Sequence, residues 1–331
     1  MKEIKITDIE GFMIGNAQNV DAATGCTAIL CPNGAFAGVD VRGGSPASRE
    51  TELLKPMNTV QQIHCVMLSG GSAFGLEAGD GAMQFLDEKG IGFDTGFGFV
   101  PIVCGASLFD LELVTGKIRP DKAMGYQACV NAFSGEEFKQ GNYGAGCGAT
   151  VGKFHGAADM MKSGIGAYAV QHGDVKIGAI VAVNALGDVY DIEKQKIIAG
   201  ILNADHTGFG DSLGIMYDEV GKSRSLWGSH EEEVNNSVRN TTIGCIITNA
   251  KLDKCMANKL AQVAHNGYAK AILPTHSTAD GDTIFAMATG EVEVGVDALL
   301  ALEVEVMAKA IRNAALYAEP AYGLKAARDF E

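Results

Sequence analysis

Positive charge is scarce in this chain. Lys and Arg total 26 against 40 Asp and Glu, a formal net charge of −14. Binding of nucleic acid needs a basic surface to offset phosphate charge, so this balance argues against it. An anionic membrane surface is disfavoured for the same reason. Long apolar runs are also missing, and none reaches the roughly eighteen residues of a spanning helix. The opening residues, Met1-Lys2-Glu3-Ile4-Lys5, lack the apolar stretch of a signal peptide, and a cytoplasmic location is expected. The eight cysteines form no CxxC pair and lie mostly within apolar runs, which predicts reduced, buried thiols. His and acidic residues show no metal-ligand spacing such as HExxH, so no metal is expected. Neither a GxGxxG opening a helix after a strand nor a GxxxxGK[ST] loop is present, so no cofactor is expected. Without a GxSxG elbow, His64 and His276 read as structural histidines rather than triad members.

Glycine is what the chain has in excess: 43 of 331 residues, nearly twice the usual share of about 7%. The glycines cluster between hydrophobic runs without a collagen-like period. Tight turns and a backbone-lined site both fit that pattern. Two clusters stand out, Ser69-Gly70-Gly71-Ser72-Ala73-Phe74-Gly75 and Gly141 to Gly152. Ser69, Gly70, Gly71 and Gly146 are the candidates for close approach to a substrate, with plain turns as the alternative. The hydrophobic content of 47% suffices for a sizeable core.

Strands are expected at 9–15, 27–31, 35–41, 63–68, 166–171, 177–183, 242–248 and 283–288. Helices are expected from about 76 to Lys89-Gly90, at 251–271 and at 296–317, where apolar residues recur at helical spacing. Strands between helices indicate a layered α/β protein. No repeat or linker divides it, so residues 1–331 read as a single domain. Residues 203–240 are polar and weakly periodic, a long connection of the kind that carries function, is disordered or forms a solvated insertion.

That connection ends at Asn240, and an apolar, β-branched run begins at once: Thr241-Thr242-Ile243-Gly244-Cys245-Ile246-Ile247. The layout suits a chain that cuts itself before a hydroxyl residue and uses the new N-terminus as its catalytic centre. A threonine hydroxyl needs an adjacent base, and the α-amino group of an N-terminal threonine is one. Its pKa of about 8 leaves much of it unprotonated near neutrality. The alternative is a strand entered from a loop.

Gly25-Cys26-Thr27, Val39-Asp40-Val41-Arg42-Gly43-Gly44, Leu68 to Leu76, Val100-Pro101-Ile102-Val103, Phe109-Asp110-Leu111, Gly141 to Gly148, Val183-Asn184-Ala185, Asn240-Thr241-Thr242-Ile243-Gly244 and Asp280-Gly281-Asp282-Thr283 occur in that order. Together they resemble the DmpA-type, or S58, family of self-processing N-terminal-nucleophile aminopeptidases. The resemblance spans nearly the whole chain. It implies a four-layer αββα sandwich, related to ornithine acetyltransferase, with a precursor cut into 1–240 and 241–331. It also implies a homo-oligomer, a tetramer or larger. The asparagine–threonine junction and the Asp-Gly-Asp triplet are most similar to the 6-aminohexanoate-oligomer (nylon-oligomer) hydrolases. Peptide-cleaving members often use serine and a Ser-x-Glu pair instead.

By this resemblance Thr241 is the nucleophile, with Thr242 its rival, and Asn240 the new C-terminus. The Asn184 side-chain amide contributes to the oxyanion hole, and Asp280 and Asp282 orient the amine and carry the proton relay. Lys153 is a further candidate to polarise the site or offset the carboxylates; a solvated surface lysine is the alternative. The implied substrate is a small peptide or oligoamide. Two other functions stay open: acyl transfer to an amine such as ornithine, and an uncut, non-catalytic binding protein of the same fold.

Overall fold

The computed structural model describes residues 1–220 and 240–330. The histidine and three glutamates at 230–233, which the sequence placed in the polar connection, lie outside the described residues.

Ten strands form one mixed sheet: β1 (Lys2–Ile4), β2 (Met13–Asn19), β3 (Thr24–Val41), β4 (Ser48–Arg49), β5 (Gln62–Ser69), β6 (Val103–Ser107), β7 (Ile165–His172), β8 (Val175–Asn184), β9 (Thr241–Ala250) and β10 (Thr283–Val292). The order is β1-β7-β8-β9-β10-β3-β5-β6-β4, with β2 on the other side of β3's first half. Pairing is antiparallel except at β5–β6 and β9–β10. Each parallel pair is bridged by a helix, α1 (Ala78–Glu88) in the first and α4 (Lys254–Ala271) in the second. A further helix follows each unit: α2 (Lys122–Phe133) and α5 (Val296–Leu316).

Alternation along the strands shows that the sheet is folded over on itself. On β9, Ile243, Cys245 and Ile247 join Ile180 and Ala182 of β8 and Phe285 of β10 in a core shared with Ile29 of β3, Val66 of β5 and Ala106 of β6. The opposite faces carry Val181 and Ile246 against Leu260 and Tyr268 of α4 and Met307 of α5. On the far side, Cys26, Ala28, Cys65 and Met67 pack on Phe85 and Leu86 of α1 and Cys129 of α2. Three apolar layers thus separate helix, sheet, sheet and helix, the four-layer αββα arrangement expected. The turnover lies on β3, whose register against β5 breaks between Leu30 and Ala35.

The structure redraws several elements. The strands expected at 27–31 and 35–41 are one, β3, and the strand expected at 9–15 sits later, at Met13–Asn19. Helix α2 was not expected, because its small residues give it little apolar periodicity; its start is set by Asp121, which accepts from the Met124 N–H at 2.9 Å. A helix, α3 (Ser212–Val220), occupies part of the polar connection. Seven cysteines are buried, but Cys255 on α4 is exposed. Part of the glycine excess serves packing: a Cβ on Gly15 would strike the backbone of α2 at Ala132, and one on Gly166 that of α5 at Ala314. Among the described residues no helix is long and apolar enough to cross a membrane.

Candidate active site

Strand β9 starts between two others. In the antiparallel β8–β9 ladder Asn184 stands opposite Thr241, and a parallel bridge joins Asn240 to Asp280 just before β10. The two-residue period separates the rival threonines. Thr241 falls on the inter-sheet face with Ile243, beside Asn184; Thr242 falls on the helix face, where the Tyr268 hydroxyl donates to its carbonyl at 3.3 Å.

The Thr241 hydroxyl contacts the carbonyl oxygen of Asn240. That oxygen also accepts the Gly281 N–H at 3.0 Å. Gly281 must be a glycine for this approach, since a Cβ there would lie 2.7 Å from the Thr241 Oγ1. Asn240 is buried, and among the described residues neither its amide nitrogen nor its amide oxygen has a partner. A buried amide without partners is costly, so the junction is a locally unfavourable place in the intact chain.

Lys153 is 1% exposed, which removes the surface-lysine alternative. Its Nζ donates at 2.6 Å to the Asn184 Oδ1, which also accepts the Thr150 N–H at 3.1 Å. Burial pulls the Lys153 pKa down to about 8, against the opposing pull of Glu112, Asp280 and Asp110. In the intact chain one Asn184 amide N–H goes to the Phe109 carbonyl at 2.9 Å. Asn184 therefore ties the end of β6 to the start of β9 across the folded sheet.

The two aspartates differ. Asp280 accepts the Ser277 N–H at 2.6 Å, and burial together with the nearby Asp282 pushes its pKa up to about 7. Asp282 is saturated: its Oδ1 accepts the Thr242 N–H at 2.8 Å, and its Oδ2 takes Thr275 Oγ1 at 3.0 Å, the His276 N–H at 3.2 Å and His276 Nδ1 at 2.8 Å. His276, read from sequence as merely structural, stands directly behind the acidic pair. Only its place six residues before Asp282 hinted at this, and that spacing has no periodic meaning in a turn.

The first glycine cluster gathers around Asp110. Gly71 donates to its Oδ1 at 2.7 Å and Thr24 to its Oδ2 at 2.7 Å, and burial raises its pKa to about 6. Ser69 is buried, bonded to the Gly75 carbonyl and the Ser107 hydroxyl, and the Gly70 N–H goes to Gly25. Gly146 turns its carbonyl to the buried Lys162 at 2.9 Å. These four residues have protein partners here, and Asp110, which accepts the Gly71 N–H, is felt by Lys153. Among the described residues no group of three His, Cys, Asp or Glu side chains could hold a metal ion.

The model of peptidase family S58 matches residues 5–328. The chain belongs to that family. It is 36% identical to an uncharacterized aminopeptidase of Mycobacterium tuberculosis, over 98% of this chain and 97% of that one. It is 32% identical to a 6-aminohexanoate-oligomer endohydrolase of a Kocuria strain, over 93% and 85%. The fold is similar to that of the L-aminopeptidase D-Ala-esterase/amidase of Ochrobactrum anthropi, described as a variant of the Ntn-hydrolase fold; it matches with a TM-score of 0.66 at 18% identity, over 95% of this chain and 86% of that one. A Burkholderia β-aminopeptidase matches with a TM-score of 0.64 at 20% identity, over 95% and 86%. The protein is thus an S58 hydrolase with an Ntn-type αββα fold.

Proposed function

We propose that this S58 chain cuts its own Asn240–Thr241 bond and then uses Thr241 to hydrolyse amide bonds of small peptides or peptide-like amides. The observation that carries this reading is the junction itself: the Thr241 hydroxyl rests on the preceding carbonyl, which the Gly281 N–H already polarises. In the first reaction Thr241 Oγ1 attacks the Asn240 carbonyl carbon and the peptide nitrogen leaves as the Thr241 amine. Water then hydrolyses the resulting ester, giving the Asn240 carboxylate and the free hydroxyl.

In the mature enzyme the Thr241 amine takes the hydroxyl proton as Oγ1 attacks the substrate carbonyl. Asn184, beside Thr241, supplies an oxyanion donor through its side-chain amide, a role worth roughly 3–4 kcal/mol in known cases. Asp280 and Lys153, with pKa values near 7 and 8, are matched for holding and passing protons at neutral pH. Asp282 orients Thr241 through the Thr242 N–H. The tetrahedral intermediate collapses as the substrate C–N bond breaks and the leaving amine takes the proton from the Thr241 ammonium; water then hydrolyses the Thr241 ester, releasing the acyl group as its carboxylic acid and restoring the hydroxyl. The names of the relatives supply the two substrate classes, N-terminal peptide residues and 6-aminohexanoate oligomers.

Intact mass and N-terminal sequencing test the proposal. The purified protein yields fragments 1–240 and 241–331, the smaller beginning Thr-Thr-Ile-Gly-Cys. Thr241→Ala stays whole and inactive but folded, since the strand loses about 1 kcal/mol or less; Thr242→Ala is still cut. A small fragment starting at Thr242, or an active uncut chain, defeats the assignment. Short peptide amides and a 6-aminohexanoate oligomer, assayed side by side, distinguish the substrates.

A further inference from the structure

We propose that His276, Asp282 and Tyr268 form a clamp on the helix-facing side of β9 that sets the position of Thr241, with His276 as the residue that holds the clamp closed. The inference rests on the reading of Thr241 as nucleophile. Once the chain is cut, Thr241 is a strand terminus, and termini fray unless tied down. The Thr242 N–H lies in the same rigid peptide plane as the Thr241 Cα. Whatever holds that N–H therefore fixes the Thr241 Cα, from which the side chain and amine project.

Asp282 holds it at 2.8 Å, and the Tyr268 hydroxyl holds the Thr242 carbonyl at 3.3 Å. Asp282 is in turn fixed by His276, through Nδ1 at 2.8 Å and the backbone N–H at 3.2 Å. The His276 ring is stacked on Tyr268 with centroids 5.9 Å apart and meets His265 edge-on at 4.7 Å. His265 is itself held by the Asp40 carbonyl of β3 at 3.1 Å. His276 takes a positive φ of 60°, which a non-glycine residue keeps only where its surroundings demand it. Its surroundings here are Asp282 and the two rings. The arrangement makes His276 a positioning residue: it acts through Asp282, which holds the Thr242 N–H.

Two substitutions separate donation from packing. His276→Phe keeps a ring against Tyr268 and His265 but removes the donor. His276→Asn gives up the ring but places an amide nitrogen where Nδ1 was, and asparagine tolerates positive φ. Losing a hydrogen bond to a carboxylate predicts that His276→Phe slows self-cleavage and lowers the kcat of the matured enzyme about tenfold or more. KM should stay nearly constant. His276→Asn should recover most of both rates. A Phe variant as fast as the parent, or an Asn variant as slow as Phe, overturns the clamp. Nitrogen NMR of histidine in the uncut Thr241→Ala chain gives an independent reading: a proton on His276 Nδ1 supports the clamp, and an unprotonated Nδ1 overturns it. A Thr241→Ala chain that is still cut overturns the nucleophile reading instead. An uncut Thr241→Ala chain beside a fully active His276→Phe enzyme overturns the clamp alone.

Discussion

Lys153 and Lys162 are nine positions apart, both buried to within 1%, and burial lowers both pKa values, to about 8 and about 7. Their partners differ. Among the described residues Lys162 donates to main-chain carbonyls, those of Gly146, Ala149 and Ser163. Lys153 donates to the side chain of Asn184, opposite Thr241, and feels Glu112, Asp280 and Asp110. A buried lysine is therefore not a catalytic signal by itself. Carbonyls cannot take a proton, so the hydrogen bonds of Lys162 tie a loop together, although it too feels Asp110, along with Cys147. Lys153 sits among groups whose protons can move.

The contrast is broken or sharpened by exchanging each lysine for methionine. Lys153→Met is expected to lower the kcat of any matured enzyme by about 10²–10⁴-fold, the range of acid–base assistance. Its thermal midpoint should hold or rise, because a desolvated cation is removed. Steady-state kinetics on the cut fraction, read with a melting curve, decides it; a fully active Lys153→Met enzyme makes the two lysines equivalent. Lys162→Met should do the reverse. Three buried carbonyls lose a donor, which costs about 2–3 kcal/mol of stability in urea titration, while kcat of the folded enzyme changes little.

Asp280→Asn is the next smaller effect. An inflection near pH 7 in the parent's kcat/KM profile should vanish, with kcat down about tenfold. Persistence of that inflection would assign it to another group. The smallest effect is on stability against pH. The Lys162 amine binds its proton less tightly folded, with pKa about 7, than unfolded, near 10.4. Between those values the unfolded chain holds more protons, so stability is depressed below pH 7 and recovers as pH rises through the window. From pH 7 to 8 the parent should gain about 1 kcal/mol or less relative to Lys162→Met.

The layered fold was legible because its core strands and long helices carry the right periods. Ile243, Cys245 and Ile247 alternate on β9, and Leu260, Ala264 and Tyr268 recur on α4. Helix α2 is not legible in the sequence because its own buried residues are small, so its apolar side does not stand out. At the site, Thr241, Asn184, Asp280 and Asp282 were named from sequence, and the structure brings them together around the start of β9. What sequence could not assign was the division of labour. Asp280 and Asp282 look alike two residues apart, yet one is pushed towards neutrality by burial while the other is saturated by donors. His276 reads from sequence as structural because turn residues have no facing rule. Gly281 carries no signal of its own in the sequence, because a missing Cβ has meaning only beside the Thr241 hydroxyl.

The strand order carries one more consequence. Strands β9 and β10, both downstream of Asn240, are inserted between β8 and β3, both upstream of it. A cut at Asn240–Thr241 leaves the smaller fragment wedged in the middle of the sheet, paired on both flanks with the larger one. The fragments can part only by unzipping the β8–β9 and β10–β3 ladders together, so the cut form should persist as one body under native conditions. Once melted, however, its two pieces must find each other by diffusion. Cleavage would thereby turn folding from a first-order event into a second-order one, and make recovery from heat depend on concentration.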